Sequence, residues 1–264
     1  MKEFSRGRRL AVGAVAATIL WLAAGGASHA APAIETDAYR NIVRLDLGAC
    51  VAAMDRLTER LAAGDVAGAK QAWIEARRGW TRSEAVTEVF FSYQDETLDT
   101  WPDPPYGFHV IEARLFGDGD IAAALDEARH LHATTEQLAG MLKVVSFDAQ
   151  GLLDGVVDLI REVGAGNDGG AESRISGTAI YDLQNNVDGV RTLYGAVFKR
   201  PLAAADPALA EAIAGQIVAL GRVLRHDNFP AVDRAALLAE SDRLAALFTQ
   251  AAGPLGLAPP TRGD

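Results

Sequence analysis

The sequence predicts an all-α protein built from two packed, antiparallel four-helix bundles. Apolar residues recur with helical spacing along the chain, and no segment shows a sustained alternation of apolar and polar residues. The breaks between the periodic segments are rich in Gly, Pro and Asp, as helix ends are. A glycine-rich stretch from Gly164 to Gly170 divides the chain into two halves, and each half has enough helices for a bundle with short connections.

The N-terminal segment, residues 1–30, has the pattern of an export signal. A basic stretch from Lys2 to Arg9 precedes an apolar run from Leu10 to Ala24, and small residues before Ala30 favour cleavage after that position. The apolar run is too short and too rich in alanine for a secure membrane span. We therefore expect a cleaved signal peptide, a periplasmic location and no membrane insertion after cleavage.

Residues 31–264 are expected to form the helical domain, with bundle one at about 35–164 and bundle two at about 171–255. Helical spacing predicts, in chain order, helices over residues 35–62, 66–95, 106–115, 119–143, 147–164, 178–198, 206–225 and 232–252.

The charge and cysteine content restrict the function classes. The formal net charge is −10, and because segment 1–30 contributes +3, the remainder carries −13. Such acidity argues against nucleic acid or an anionic membrane surface as a partner and is compatible with cations. Cys50 is the only cysteine, which excludes an internal disulfide and a thiolate metal cluster, and its apolar neighbours predict a packed core thiol.

The second predicted helix places two acids on its apolar face. At 100° per residue, Glu84 and Asp95 fall on the stripe that two tryptophans and a phenylalanine mark as inward-facing. Burial of a carboxylate without a partner costs several kcal/mol, so each acid needs a cation or hydrogen-bond donors. For Glu84, an ion pair with Arg77 and coordination of a metal ion remain equally open on these residues alone.

The stretch GFHVIE carries the strongest chemical signal. His109 and Glu112 are three positions apart, so both side chains lie on one face of a short helix. Imidazole with carboxylate suits Fe, Zn, Cu or Mn, and Glu and His at this spacing build metal sites inside helix bundles. The alternative is a core histidine hydrogen-bonded to its own glutamate neighbour.

Several segments together resemble the imelysin-like family, and within it the periplasmic iron-uptake EfeO/EfeM type. These are Trp80 to Glu84, Phe90 to Asp99, Gly107 to Glu112 and Asp182 to Val190. The resemblance spans about residues 36–255 and matches the short form, which lacks a copper-binding cupredoxin domain. It implies two helix bundles and a metal site whose ligands are His109, Glu112, Glu84 and Asp95, with Asp99 in reserve.

Helix geometry restricts that ligand set. In one continuous helix, eleven residues separate Glu84 from Asp95 by ~16 Å, which is too far for two ligands of one ion. Asp95 can join the site only if the helix ends before it and the chain folds back. Asp182, Asn186 and Asp188 have a simpler interpretation, as short polar groups that cap a helix or bond across a bundle seam.

The resemblance implies a non-enzymatic binding protein for a transition metal, with iron first and zinc or copper as alternatives. Such a protein would pass the ion to an inner-membrane permease or a haem-peroxidase partner. A metal-dependent peptidase with Glu112 as base is a second hypothesis, but HVIEA has Ala113 where an HExxH-type enzyme needs a second histidine. A third is acidic-polysaccharide binding, in which aromatic residues such as Trp80, Trp101 and Phe108 stack on sugars, although they also suit a core.

Overall fold

The computed structural model describes residues 32–99, 106–166 and 173–261. Within these ranges the regular structure is helical, without a strand, which confirms the all-α fold class. The predicted signal peptide, Trp101 and most of the glycine-rich stretch lie outside the described residues. The helices are α1 (Asp37–Ala62), α2 (Val66–Thr81), α3 (Glu84–Phe90), α4 (Ser92–Asp99), α5 (Phe108–Glu112), α6 (Ile121–Met141), α7 (Ala149–Ala165), α8 (Ala179–Leu193), α9 (Lys199–Ala205), α10 (Pro207–Val223) and α11 (Arg234–Leu255).

The helices pack in two groups. In the first, α1 lies between α2 and α6; in the second, α11 packs against α7 and α10, and α7 also packs against α3. Residues Ala31–Asp264 form one compact unit. Helix α7 precedes the predicted bundle boundary near Gly164 but packs on α11, which follows it. The division into two bundles at this position stays a prediction.

The core between α1 and α2 depends on a close approach of the two backbones. A Cβ atom on Gly79 would lie 2.6 Å from the Asp46 carbonyl oxygen, so only glycine allows this spacing. Cys50 is fully buried in this core, as its apolar neighbours predicted. Burial raises the pKa of the Cys50 thiol to about 12, so the group stays a neutral, packed thiol.

The prediction of one helix over residues 66–95 is wrong. The backbone turns tightly after α2, where the Ser83 N–H donates to the Trp80 carbonyl at 2.7 Å and the Ser83 hydroxyl donates to the Gly79 carbonyl at 3.1 Å. A second break falls at Phe91, whose φ of −144° and ψ of 37° are not helical. The apolar periodicity does not show the second break because Phe91 remains buried at the break itself.

Two other predicted helices have different ends. The segment predicted over 106–115 begins at Phe108, and after Glu112 it continues as a π-helical turn from Ala113 to Asp118. The segment predicted to end at 198 runs through a second π-helical turn into α9. Pro201 lies in α9 shortly after this π-helical turn, and the helix continues past it to Ala205.

No helix in the described ranges combines the length and the apolar character that crossing a lipid bilayer requires.

Candidate metal centre around His109

The GFHVIE segment starts its helix at a glycine for a steric reason. Gly107 has a φ of +104°, and a Cβ atom there would lie 2.5 Å from the Leu98 carbonyl oxygen. Only glycine combines this backbone conformation with this close approach. The start of α5 therefore lies directly against the end of α4, which brings His109 beside Asp99.

His109 lies between two carboxylates from different helices. Its Nδ1 is 3.1 Å from Glu112 Oε2, and its Nε2 is 3.2 Å from Asp99 Oδ1. All three side chains are buried or nearly so, and Asp99 is the most exposed at 11%. His109 therefore pairs with Glu112, as the second interpretation of the sequence expected, and it pairs with Asp99 as well.

A buried arginine ties this histidine to the second half of the chain. Arg77 in α2 donates from Nη1 to Asp99 Oδ1 and from Nη2 to Asp182 Oδ2, the second at 3.2 Å. Trp80 Nε1 also donates to Asp99, at 2.6 Å from Oδ2. Asp182 accepts a further hydrogen bond from the Ser173 hydroxyl. The contact of Asp182 with α2 confirms its interpretation as a polar group that bonds across a packing seam.

We name Arg77, Asp99, His109, Glu112 and Asp182 the His109 cluster. Burial alone would lower the pKa of His109, but its hydrogen bonds to Asp99 and Glu112 outweigh burial and raise that pKa to about 9. Burial alone would raise the pKa of Asp99, but the Arg77 charge and the His109 hydrogen bond hold it well below its usual range. At neutral pH an imidazolium ion thus occupies the place between two carboxylates.

Glu112 receives hydrogen bonds from a segment far away in sequence. The backbone N–H and the hydroxyl of Ser176 both donate to Glu112 Oε1, each at 2.7 Å. Burial would raise the pKa of Glu112, but the hydrogen bonds from His109 and Ser176 outweigh it, so the pKa is lowered. Glu112 is therefore an ionised carboxylate with both oxygens in use.

The structure places the remaining predicted ligands differently. Glu84 is buried, as predicted, at the first residue of α3. Asp95 is one helical turn before Asp99 on α4, and its Oδ1 accepts a hydrogen bond from the Thr87 hydroxyl at 2.7 Å. Contact with His109 thus falls to the reserve acid, Asp99. The four-residue ligand set itself stays a prediction.

Asp95 instead lines a separate acidic cleft of about 860 Å³. The acidic cleft lies between α3, α4, α7 and α11 and is lined by seven acids and one arginine, which are Glu88, Asp95, Glu96, Asp154, Asp158, Glu162, Asp242 and Arg161. Arg161 Nη1 pairs with Asp158 at 3.0 Å. Negative charge therefore exceeds positive charge in this cleft.

The pKa values of the cleft acids are shifted in the opposite direction to those of Asp99 and Glu112, and in the same direction as that of Asp182, which burial raises. Burial, together with the nearby charges of Glu162 and Asp95, raises the pKa of Glu88 well above its usual range. Burial also outweighs the Thr87 hydrogen bond at Asp95 and raises its pKa to about 7. Protons, rather than side-chain cations, neutralise these carboxyl groups.

Sequence reasoning missed Ser176 and the acidic cleft. Ser176 is 64 positions from Glu112, and no local pattern connects the two residues. The acids of the cleft come from four helices, so no single periodic stripe contains them.

In the described part of the chain, no three His, Cys, Asp or Glu side chains are already arranged to hold a metal ion. The His109 cluster is thus a closed arrangement, with the imidazole between its carboxylates.

Comparison with known proteins identifies the family. The model of the imelysin family, Peptidase_M75, matches residues 36–106 and 105–253, which is most of the chain. The chain belongs to the imelysin family. The matched ranges of this imelysin-family chain contain every residue of the His109 cluster.

Curated relatives of this imelysin-family chain include components of iron uptake systems. It is 26% identical over 238 residues to the iron uptake system component EfeO of Escherichia coli (strain K12), and 28% identical to that of Yersinia pseudotuberculosis serotype I. Each match covers 83% of this chain and 63% of the relative, so the chain spans less than two thirds of the length of these relatives.

A crystal structure supports the fold of this imelysin-family chain. A candidate iron-regulated protein A precursor from Parabacteroides distasonis superposes with a TM-score of 0.69 at 14% identity. The match covers 86% of this chain and 97% of that protein, so the likeness in fold extends over most of this chain.

Proposed function

We propose that this imelysin-family chain is a non-enzymatic binding protein that carries a transition-metal ion, iron first, in periplasmic metal uptake. One observation carries the proposal: both ring nitrogens of a buried histidine lie within 3.2 Å of carboxylate oxygens. His109 would supply the nitrogen ligand, and the acids around it would supply anionic oxygen.

The spacing of the donor atoms supports this proposal. Two ligands bound at ~2.1 Å to one ion lie ~3.0 Å apart in octahedral and ~3.4 Å apart in tetrahedral coordination. The distance of 3.2 Å between His109 Nε2 and Asp99 Oδ1 falls between these values. An ion can therefore replace the shared proton if the two side chains reorient while keeping about the same separation.

The charge balance favours a multivalent cation. When His109 is neutral, the three acids of the His109 cluster outnumber the single positive charge of Arg77. A further buried acid, Glu84, lies at the start of α3, the helix after the one that carries Arg77. A divalent or trivalent ion offsets this excess, whereas an anion would add to it. The net charge of −10 for the whole chain likewise favours a cationic cargo.

The relatives support iron as the cargo. The EfeO proteins of Escherichia coli and Yersinia pseudotuberculosis are named as iron uptake system components. An inner-membrane permease, and a haem-peroxidase where one is present, are the partners that such a role would require. This chain spans 63% of the length of those relatives. Its iron specificity, its partners and its periplasmic location are therefore proposed from the likeness.

Calorimetry of the chain with Fe(II) under nitrogen, and separately with Zn(II) and Cu(II), tests the proposal. The double variant H109A/E112A is expected to lose at least ~100-fold in affinity, since it removes the nitrogen donor and its carboxylate partner. The matched control H130A/E136A removes the same residue types from the exposed face of α6 and should bind as the wild type does. Unchanged affinity in H109A/E112A, with its helical circular dichroism intact, would remove the proposal.

The peptidase hypothesis has a weaker basis in this site. Glu112 accepts hydrogen bonds from His109 and Ser176, and Ala113 follows it where a second histidine would be needed. We therefore expect no cleavage of a mixed peptide library by the Zn(II)-loaded chain. Chelator-sensitive cleavage that is lost in E112Q would replace the carrier proposal by the peptidase.

A further inference from the structure

The hydrogen bonds of Glu112 leave little capacity for direct coordination. Its Oε1 accepts both Ser176 donors at 2.7 Å, and its Oε2 lies 3.1 Å from His109 Nδ1. The Glu112 side chain is 0% exposed. A metal ion at either oxygen would have to displace one of these short contacts inside a closed environment.

The same contacts determine which nitrogen of His109 faces the rest of the cluster. When Nδ1 carries a proton and donates it to Glu112, Nε2 is the ring atom directed at Asp99. Metal-binding histidines commonly donate their second ring N–H to a carboxylate, which fixes the tautomer and the ring orientation. Ser176 holds that carboxylate in turn, from a turn just before α8.

We infer that Ser176 and Glu112 form an orienting relay for His109, so that Nε2 binds the metal and Glu112 is a positioning residue rather than a ligand. Asp99 is the carboxylate nearest to Nε2, and its hydrogen bonds to Arg77 and Trp80 would have to rearrange for it to bind the ion. This assignment rests on the proposed metal binding and deepens it, because it divides the roles within the HxxE motif. It also gives the second half of the chain a part in the site.

The hydroxyl of Ser176 is well placed for this role. Its oxygen lies 2.8 Å from Thr178 Oγ1, which can donate to it, while its own proton points to Glu112 at 2.7 Å. A charge-assisted hydrogen bond to an ionised carboxylate is stronger than a neutral one. Loss of the hydroxyl would therefore loosen Glu112 and the imidazole behind it while the backbone N–H contact remains.

Nitrogen-15 NMR of the histidine side chains tests the assignment with Zn(II), which is diamagnetic. On addition of Zn(II), His109 Nε2 is expected to take the metal-bound shift while Nδ1 keeps its proton; the H109A spectrum assigns the signals. Zinc at Nδ1 would overturn the relay, since Glu112 would then have no ring N–H to orient.

Two variants then measure the relay by calorimetry with Zn(II). Loss of an orienting partner lowers metal affinity by ~10- to 100-fold, and we expect a loss in this range for E112Q and about 10-fold for S176A. S176T retains the hydroxyl and should restore most of the affinity. S241A, at a buried serine of α11, controls for the loss of any buried hydroxyl.

X-ray absorption of the Zn(II) complexes separates a positioning role from a ligand role. The number of oxygen and nitrogen ligands should be the same in the wild type, S176A and E112Q. One oxygen ligand fewer in E112Q, or S176A binding as tightly as the wild type, would overturn the relay while leaving metal binding intact. A wild-type chain that binds neither Zn(II) nor Fe(II) would instead overturn the proposed function and the relay together.

Discussion

The His109 cluster and the acidic cleft use the same residue types in opposite ways. In the His109 cluster, Arg77 and the imidazole face three buried carboxylates, and the pKa values of Asp99 and Glu112 are lowered. In the acidic cleft, seven acids share one arginine, and the pKa values of Glu88 and Asp95 are raised. The two regions meet on α4, where Asp99 and Asp95 are one turn apart.

This difference shows that the protonation state of a buried acid depends on the groups that face it. Asp99 and Glu112 face Arg77 or the imidazole, keep lowered pKa values and stay charged at neutral pH, whereas at Asp182 burial outweighs the Arg77 charge and raises the pKa. A carboxylate opposite other carboxylates takes up a proton, and its charged form destabilises the fold. The metal site is therefore proposed at His109, because Asp99 and Glu112 are ionised at neutral pH and the imidazole lies between them.

Removal of Arg77 gives the largest expected effect. In Arg77→Met, Asp99 and Asp182 lose the guanidinium that pairs with both of them, and loss of one partner from a buried pair costs about 3–5 kcal/mol. Urea denaturation at pH 7 measures the free energy of unfolding. Arg161→Met removes the partly exposed arginine of the acidic cleft and should change it by about 1 kcal/mol or less. Equal effects of the two substitutions would contradict the comparison.

The second largest expected effect is the pH dependence of the free energy of unfolding that His109 causes. The pKa of His109 is raised from 6.5 to about 9, so its contribution to stability is complete below pH 6.5 and is lost as the pH rises to about 9. In the metal-free chain, the free energy of unfolding should fall across this window by on the order of 3 kcal/mol.

The matched variants isolate that contribution. His109→Gln should lack the fall between pH 6.5 and 9, whereas His130→Gln, at an exposed position of α6, should retain it. Denaturant titrations at four pH values across the window give the comparison. A fall that persists undiminished in His109→Gln would assign it to another group.

The smallest expected effect is a gain in stability at the acidic cleft. The pKa of Asp95 is raised from 3.8 to about 7, so its favourable contribution exists at low pH and is lost as the pH rises towards 7. Asp95→Asn removes the charge but keeps an acceptor for the Thr87 hydroxyl. It should stabilise the fold at pH 8, and the gain should shrink as the pH falls below 7 and disappear at about pH 4.

Asp242→Asn is the control for this prediction, because Asp242 is an exposed acid of the same cleft. Its effect should be smaller, because its side chain is exposed to solvent. Thermal unfolding of both variants at the two pH values distinguishes a buried, raised carboxyl from general relief of repulsion. A loss of stability in Asp95→Asn at pH 8 would show that its charge is paired.

Much of the architecture was predictable from the sequence. Apolar periodicity located most helices of the described chain, and the three-residue spacing placed His109 and Glu112 on one face. Periodicity failed at residues 82–83 and at Phe91, because a buried aromatic side chain marks the core whether or not the backbone around it is helical. For that reason the sequence could not decide whether Asp95 or Asp99 lies beside His109.

The sequence by itself determined the all-helical class, the acidic charge and the placement of His109 and Glu112 on one helix face, since these depend on composition and on spacing within one turn. Only the tertiary structure decided that Asp99 rather than Asp95 faces the imidazole, that Ser176 holds Glu112, and that Arg77 reaches Asp182. These contacts join residues up to 105 positions apart. The protonation and binding capacity of a buried group depend on the charges that packing brings near it, and local spacing does not encode them.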